Sequence, residues 1–228
     1  MSEPNAIARL LQPRSVAVIG ASADPAKTAG RPVAYLRKHG FTGAIYPVNP
    51  RVQEIDGLPC YPDIASLPGV PDVGIVLLGA ERAHLAVREL AARGTAAAIV
   101  LASGYTETGN EGARRQQQLL EAAGRMRILG PNTIGLVNLT DRIVLSASGA
   151  LEMDRFTIGS IGVVSQSGGI LGALLSRAAA RGIGLSKLIS TSNEVDLELA
   201  DFIEQLADDE ATKVIALYVE SVRNPERF

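Results

Sequence analysis

The stretch Ser15–Val33 constrains this chain most, because it reads as a strand, a small-residue loop and a helix in immediate succession. Ser15-Val-Ala-Val-Ile19 is a short β-branched run ending in Gly20, the pattern of a strand buried on both faces of a parallel sheet. Thr28 is placed to cap a helix carrying Val33, Leu36 and the basic pair Arg37–Lys38. Between them runs a loop of small residues broken by Pro25. Free backbone N–H groups and a helix dipole at such a turn favour an anion, so the expectation is a phosphorylated nucleotide.

The missing residues narrow which nucleotide. A dinucleotide site uses G-x-G-x-x-G and an acidic residue at the end of the second strand for the ribose. Here Gly20 is followed by Ala21 and Ser22, and the second strand, Ala44–Val48, ends in Asn49-Pro50-Arg51. A neutral amide followed by a cation suits a ribose that carries phosphate better than a free diol. The same residues disfavour an NAD-dependent enzyme.

The pattern then repeats. Val73–Leu78, Ala96–Leu101 and Arg127–Leu129 read as strands, and Glu81–Arg93 and a helix capped by Asn110 and running to Ala123 lie between them. This alternation implies a parallel sheet with helices on both faces and ligands at the carboxyl ends of the strands. Those ends are small or polar: Gly20–Ser22, Asn49–Arg51, Gly79–Ala80, Ser103-Gly104-Tyr105 and Gly130–Asn132, with Glu107 in the fourth loop. Together they predict a cleft. Residues 135–156 read as an interdomain connection with some extended structure. A second series follows over 157–228, with strands at Ile158–Val164, Gly184–Ile189 and Val214–Val219 and helices at Gly169–Arg181 and Leu197–Ala207. Ser221–Phe228 supplies no closing element, so the second unit reads as part of a domain, completed by further chain or by a partner.

Val163-Val-Ser-Gln-Ser-Gly-Gly-Ile170 is the second strand–turn–helix junction. Ser165, Ser167, Gly168 and Gly169 would offer hydroxyls and unobstructed N–H groups to a phosphoryl group. A hydrolase elbow, G-x-S-x-G, fails here: Ser165 replaces its first glycine, and the only histidines, His39 and His84, lie upstream of the serine. Both histidines read as cap or surface residues. Glu220 ends the apolar run Ile215–Val219 and is placed to orient an imidazole or a metal.

With 46% apolar and 20% charged residues the chain can bury a substantial core, and a net charge of −2 gives no electrostatic case for nucleic acid or an anionic membrane. The single cysteine, Cys60, excludes a disulfide framework and a thiolate metal site. The N-terminus has no basic segment followed by an apolar core, and no apolar run approaches a membrane span, so a cytoplasmic location is expected.

Ser15-Val-Ala-Val-Ile-Gly-Ala-Ser22, Tyr46-Pro-Val-Asn-Pro50, Leu129-Gly-Pro-Asn132, Val164-Ser-Gln-Ser-Gly168, Gly184-Leu-Ser-Lys187, Ser192-Asn193, Asp208-Asp209 and Tyr218-Val-Glu220 follow in order. The set resembles the α portion of ADP-forming acyl-CoA synthetases, relatives of succinyl-CoA synthetase. The resemblance implies an α/β protein: a Rossmann-like parallel-sheet CoA-binding domain over 1–134, then a partial flavodoxin-like domain. In that family an acyl phosphate forms, its phosphoryl moves to a histidine, and CoA takes the acyl group, while an ATP-grasp domain exchanges the phosphoryl with ADP. CoA is then expected against Gly20, Ala21, Ser22, Lys27, Asn49, Pro50, Arg51, Ser103, Gly104, Tyr105, Glu107 and Asn132. Ser165, Gln166, Ser167, Gly168 and Gly169 would form the phosphate cradle, with Glu220 orienting the phosphohistidine.

Departures from the family qualify this. Its histidine loop lies beyond the Tyr-x-Glu strand and so past Phe228, no ATP-grasp module is present in these residues, and Gly79 stands where relatives commonly have proline. The expected partners are CoA, a small carboxylic acid and an ATP-grasp domain bringing ATP or ADP with Mg. Homo-oligomerisation is allowed, a resident metal is not expected, and phosphoryl transfer by this stretch alone is not expected. The alternative reading is a CoA, acyl-CoA or nucleotide sensor fused to an acetyltransferase.

Overall fold

A computed structural model describes residues 5–228. The first four residues, part of the N-terminus read above as lacking a leader, lie outside the described residues. Ala6–Leu11 (α1) is capped by the Asn5 side chain, which accepts from the Ile7 N–H. Ser15–Ile19 (β1), Arg31–Lys38 (α2), Ala44–Val48 (β2), the small hairpin Glu54–Ile55 (β3) and Leu58–Pro59 (β4), and Val73–Val76 (β5) follow. Ala80–Ala92 (α3), Ala97–Val100 (β6), Asn110–Ala123 (α4) and Arg127–Leu129 (β7) complete the first unit. Its sheet runs β2-β1-β5-β6-β7, every pair parallel. β1, β5 and β6 are almost wholly buried, which explains why β-branched and alanine runs fill them.

Gly135–Asn138 (β8) and Ile143–Ser146 (β9) come next, then Ile158–Ser165 (β10), Gly168–Ala180 (α5), Leu185–Ser190 (β11), Leu199–Ala207 (α6) and Val214–Tyr218 (β12). The second sheet runs β12-β10-β11-β8-β9. β12, β10 and β11 are parallel, whereas β8 pairs antiparallel with β11 and with β9. Residues 135–156, expected as a connection, therefore contain a hairpin of the second sheet. Two buried four-residue strands are too short to show a period, and β11, which pairs with β8, lies some fifty residues ahead in the chain.

Two helix starts also differ from expectation. α2 begins at Arg31 behind Gly30, not at Thr28, and Pro32 sits in its first turn, where the missing N–H costs nothing. α4 is preceded by Gly109, so Asn110 is its first residue and not its cap.

The two sheets share one apolar cluster. Val16, Val18, Ile75 and Ile99 of the first belong to it with Leu136, Leu145, Val164 and Ile189 of the second and Phe202 of α6. Ion pairs add to the contact: Arg127 Nε lies 2.9 Å from Asp196, whose carboxylate also accepts from the Ile128 N–H at 2.8 Å. His39 ends α2 and sits against Phe156, ring centroids 4.9 Å apart, with Nε2 3.1 Å from the Leu151 carbonyl. It is a cap at the contact between units, and burial lowers its pKa.

Candidate functional site

The five strand ends of the first sheet meet along one edge, and residues from the second unit close that edge. At the first turn, Gly20 adopts φ +83°, a left-handed conformation that favours glycine. The N–H groups of Gly20 and Ala21 both donate to the Val48 carbonyl, at 2.9 and 3.3 Å, and that of Ser22 donates to Ala29 at 3.0 Å. The Ser22 hydroxyl accepts from the Asp24 N–H at 3.1 Å. The expectation of free N–H groups at 20–22 is thus corrected: they hold the loop to its own sheet.

Asn49 has a similar role. Its Nδ2 donates to the Ala21 carbonyl at 2.7 Å and its Oδ1 accepts from the Arg51 N–H at 2.9 Å. The side chain joins two strand ends and is not directed by these bonds at a ligand. Asn49→Asp is expected to weaken binding of the CoA that the resemblance implies by about tenfold, because a carboxylate would face the Ala21 carbonyl across that distance. Calorimetric titration of both proteins checks it.

Beyond this turn lies a cavity of about 580 Å³, lined by Ser22, Ala23, Pro25, Gly30, Ala34, Arg37, Lys38, Phe41, Ile55 and Asp56. Its size fits a nucleotide-bearing ligand, and it combines cations with an apolar wall. Arg37 pairs with Asp56 at 3.3 Å. Of these residues, strand-end reasoning reaches only Ser22; Arg37 and Lys38 were legible as a basic pair, whereas Phe41 and Ile55 come from the end of α2 and the β3–β4 hairpin. Lys27 is largely exposed, 3.8 Å from Asp24. Pro50 and Arg51 are exposed beside Asn49.

The loop after β6 joins the units. Glu107 Oε1 accepts from the N–H groups of Gly104 at 2.6 Å and Tyr105 at 3.1 Å, and Oε2 accepts from Asn193 Nδ2 at 2.6 Å. Partial burial pushes the Glu107 carboxyl up, but these hydrogen bonds outweigh it and hold the pKa below the ordinary value. Both its oxygens are engaged, so Glu107 shapes the loop. The Tyr105 side chain is buried within the first unit, and burial raises its hydroxyl pKa to about 12. Ser103 is exposed at the loop tip. Asn132, at φ +62°, lies 3.4 Å from Asn193. Asn193 was visible as a motif residue, but its link to Glu107 is tertiary.

Residues 190 and 191, just before Asn193 in the chain, reach the second turn and the start of β8. The Thr191 N–H donates to the Ser165 carbonyl at 2.9 Å, and the Thr133 hydroxyl donates to the Ser190 carbonyl at 2.5 Å. Ser165 Oγ accepts from the Ser167 N–H at 3.1 Å and donates to the Ser167 carbonyl at 2.8 Å. Ser167 caps α5 by accepting from Ile170. The first two N–H groups of α5, from Gly168 and Gly169, have no carbonyl within the helix to meet, so this turn keeps the anion-binding character absent from 20–22. Gly168 is held tight, its position for a Cβ 2.9 Å from Ile134, while Gly169 faces open space.

Gln166 is buried and locks the end of β12. Its Oε1 accepts from the N–H groups of Glu220 at 2.7 Å and Ser221 at 2.9 Å, and its Nε2 donates to the Ser221 carbonyl at 2.8 Å. The Glu220 backbone is thereby fixed beside the second turn, with its side chain exposed. Glu194, a residue the sequence allows as either solvated or capping, is 2% exposed and accepts from the Leu199 N–H at the start of α6 at 3.1 Å; burial raises its pKa. Among the described residues no group of three or more His, Cys, Asp or Glu could hold a metal ion, and no helix is long and apolar enough to cross a membrane.

Comparisons with known proteins agree on the kind of chain this is. The family described as a CoA binding domain matches residues 14–138, and that described as a succinyl-CoA ligase like flavodoxin domain matches 158–228. An acetate–CoA ligase [ADP-forming] I of Archaeoglobus fulgidus is 36% identical over 96% of this chain, which covers 32% of that relative. The α subunit of acetate–CoA ligase [ADP-forming] II of Pyrococcus furiosus is 35% identical over 95% of the chain, which covers 46% of it. Among solved structures, the dinucleotide forming acetyl-coenzyme A synthetase 1 of Ca. Korarchaeum cryptofilum superimposes with a TM-score of 0.89 at 31% identity, over 96% of this chain and 47% of that one. The chain thus spans between a third and a half of these relatives.

Proposed function

From the premise that this chain belongs to the CoA-binding domain family, continued by a succinyl-CoA-ligase-like flavodoxin domain, we propose that it is the CoA-binding and acyl-phosphate-handling portion of an ADP-forming acyl-CoA synthetase. The observation that carries this reading is that one segment of the second unit meets both places: Asn193 donates to Glu107, which holds the Gly104 N–H, and Thr191, two residues earlier, donates to the Ser165 carbonyl. It sets the loop after β6, on the sheet edge that also carries the nucleotide-sized cavity beyond Ser22, beside an anion-binding turn in the second unit. Acyl transfer to a thiol needs that adjacency, since the acyl phosphate and the thiol must meet at bonding distance.

In this reading the loop 21–30 and the cavity wall of Arg37, Lys38, Phe41 and Ile55 hold the nucleotide end of CoA, with Lys27 and Arg51 at its rim. Gly20 and Asn49 set the shape of that loop, and Glu107 sets the height of the Ser103–Gly104 backbone against the second unit. Gly168 and Gly169 receive the phosphoryl oxygens through their N–H groups and Ser167 through its hydroxyl, which stabilise charge as it builds on the leaving phosphate, while Ser165 holds the Ser167 backbone in place. Glu220, fixed through Gln166, orients a phosphorylated imidazole. The histidine, and an ATP-grasp domain with ATP or ADP and Mg, would come from other parts of the chain or from a partner subunit; the acid is small, as in the acetate ligases among the relatives.

Calorimetric titration with CoA and separately with NADH tests this. Micromolar CoA binding without NADH binding is expected. NADH binding without CoA binding would overturn it.

A further inference from the structure

At the far end of the first sheet, where the strands begin, a cavity of about 680 Å³ lies between α1, the C-terminal ends of α3 and α4, and the loops entering β6 and β7. Three arginines line it, Arg9 on α1, Arg88 on α3 and Arg125 after α4, and no carboxylate does. Among the described residues none of the three forms an ion pair. Glu121 borders the neighbouring cleft, which Arg88 also lines, but it accepts from Gln117 at 3.1 Å.

Arginines near helix C-termini commonly offset the dipole, which amounts to about half a negative charge per end. Two ends supply about one negative charge against three guanidinium groups, so most of the positive charge is unanswered. Polar atoms inside the cavity wall are unanswered too. Thr95 lines it and is 4% exposed, yet its hydroxyl has no hydrogen-bond partner, and neither does the shielded Nε of Arg9. Such orphaned groups are rare unless a bound species satisfies them. The remaining wall is alanine, glycine and Met126, without an aromatic ring on which a base could stack.

We propose that this cavity is a second, distal site for a small non-aromatic polyanion bearing two or more phosphate or carboxylate groups. Arg9, Arg88 and Arg125 would grip it by charge, and Thr95 would donate to it. The test is calorimetric titration of the chain with inorganic tripolyphosphate and, separately, with citrate, which distinguishes phosphate from carboxylate ligands. Expected is one site for at least one probe, weakened about tenfold by Arg9→Gln and by Arg125→Gln and further weakened as salt rises from about 50 to about 200 mM. Thr95→Val, which removes only an unpartnered hydroxyl, is expected to fold normally and to weaken the same binding, and saturating CoA is expected to leave it unchanged. Absence of binding by both probes, binding indifferent to all three substitutions, or displacement by CoA would overturn the proposal.

Discussion

Lys187→Met is expected to lower the unfolding free energy at pH 7 by about 3 kcal/mol, the low end of what breaking a buried ion pair costs. The Lys187 side chain is 4% exposed within β11, and its Nζ lies 2.6 Å from Asp209 Oδ2. Asp209 also accepts from the Thr212 hydroxyl at 2.5 Å, and Thr212 contacts Ser186 Oγ at 2.8 Å, so the pair joins β11 to the turn that leads into β12. Methionine fills the space but leaves a carboxylate with one partner removed. Burial alone would raise the Asp209 pKa; the bonds from Lys187 and Thr212 outweigh it and hold it below the ordinary 3.8. A depressed carboxylate contributes stability that is complete above its unfolded value and is lost as pH falls through its lower folded value. The difference between wild type and Lys187→Met in denaturant unfolding should therefore be largest near neutrality and shrink as pH drops below about 4. A difference that does not change with pH would show that the pair is not its source.

The second large effect is expected at Gly30. A Cβ there would lie 2.0 Å from the Asp24 carbonyl oxygen, 2.6 Å from its carbon and 3.0 Å from Pro25 Cα. All three are backbone atoms, so no flexible side chain can yield. Gly30→Ala must displace the loop 24–30, disturbing the Ser22–Ala29 and Lys27–Gly30 hydrogen bonds and the cavity wall they shape. Overpacking of this kind costs about 1–3 kcal/mol, and CoA affinity should fall by about tenfold or more. Gly69→Ala, where a Cβ meets nothing within 4 Å, is the matched control and should change neither. Thermal unfolding and CoA titration of both variants read the two quantities.

Both effects depend on tertiary contacts, which is where reading from the sequence stopped. The β-branched and alanine runs of β1, β5 and β6 were legible because strands buried on both faces carry few polar residues. β8 and β9 were not, because two four-residue strands that pair with each other and, through β8, with the later β11 leave no local period. The two small-residue turns were visible as turns, but their difference was not. At 20–22 the N–H groups meet Val48 and Ala29, partners set by the register of β1 on β2 and by the fold of the loop. At 168–169 the helix begins at once, and its leading N–H groups remain available. Tyr105 and Glu107, polar residues at a strand end, invited a reading as ligand contacts. Burial of one and the bond from the other to Asn193 are consequences of how the units pack.

The central claim is that one ligand-binding edge spans both units, with CoA against the loop 21–30 and the loop at 103–107. Amide hydrogen exchange of the chain with and without CoA tests it most directly. CoA is expected to slow exchange over 21–31 and 103–107, and also over 190–195 through the Glu107–Asn193 bond, while the arginine-lined cavity around 91–96 stays unchanged. Protection confined to any other surface, or none at 21–31 under saturating CoA, would contradict it.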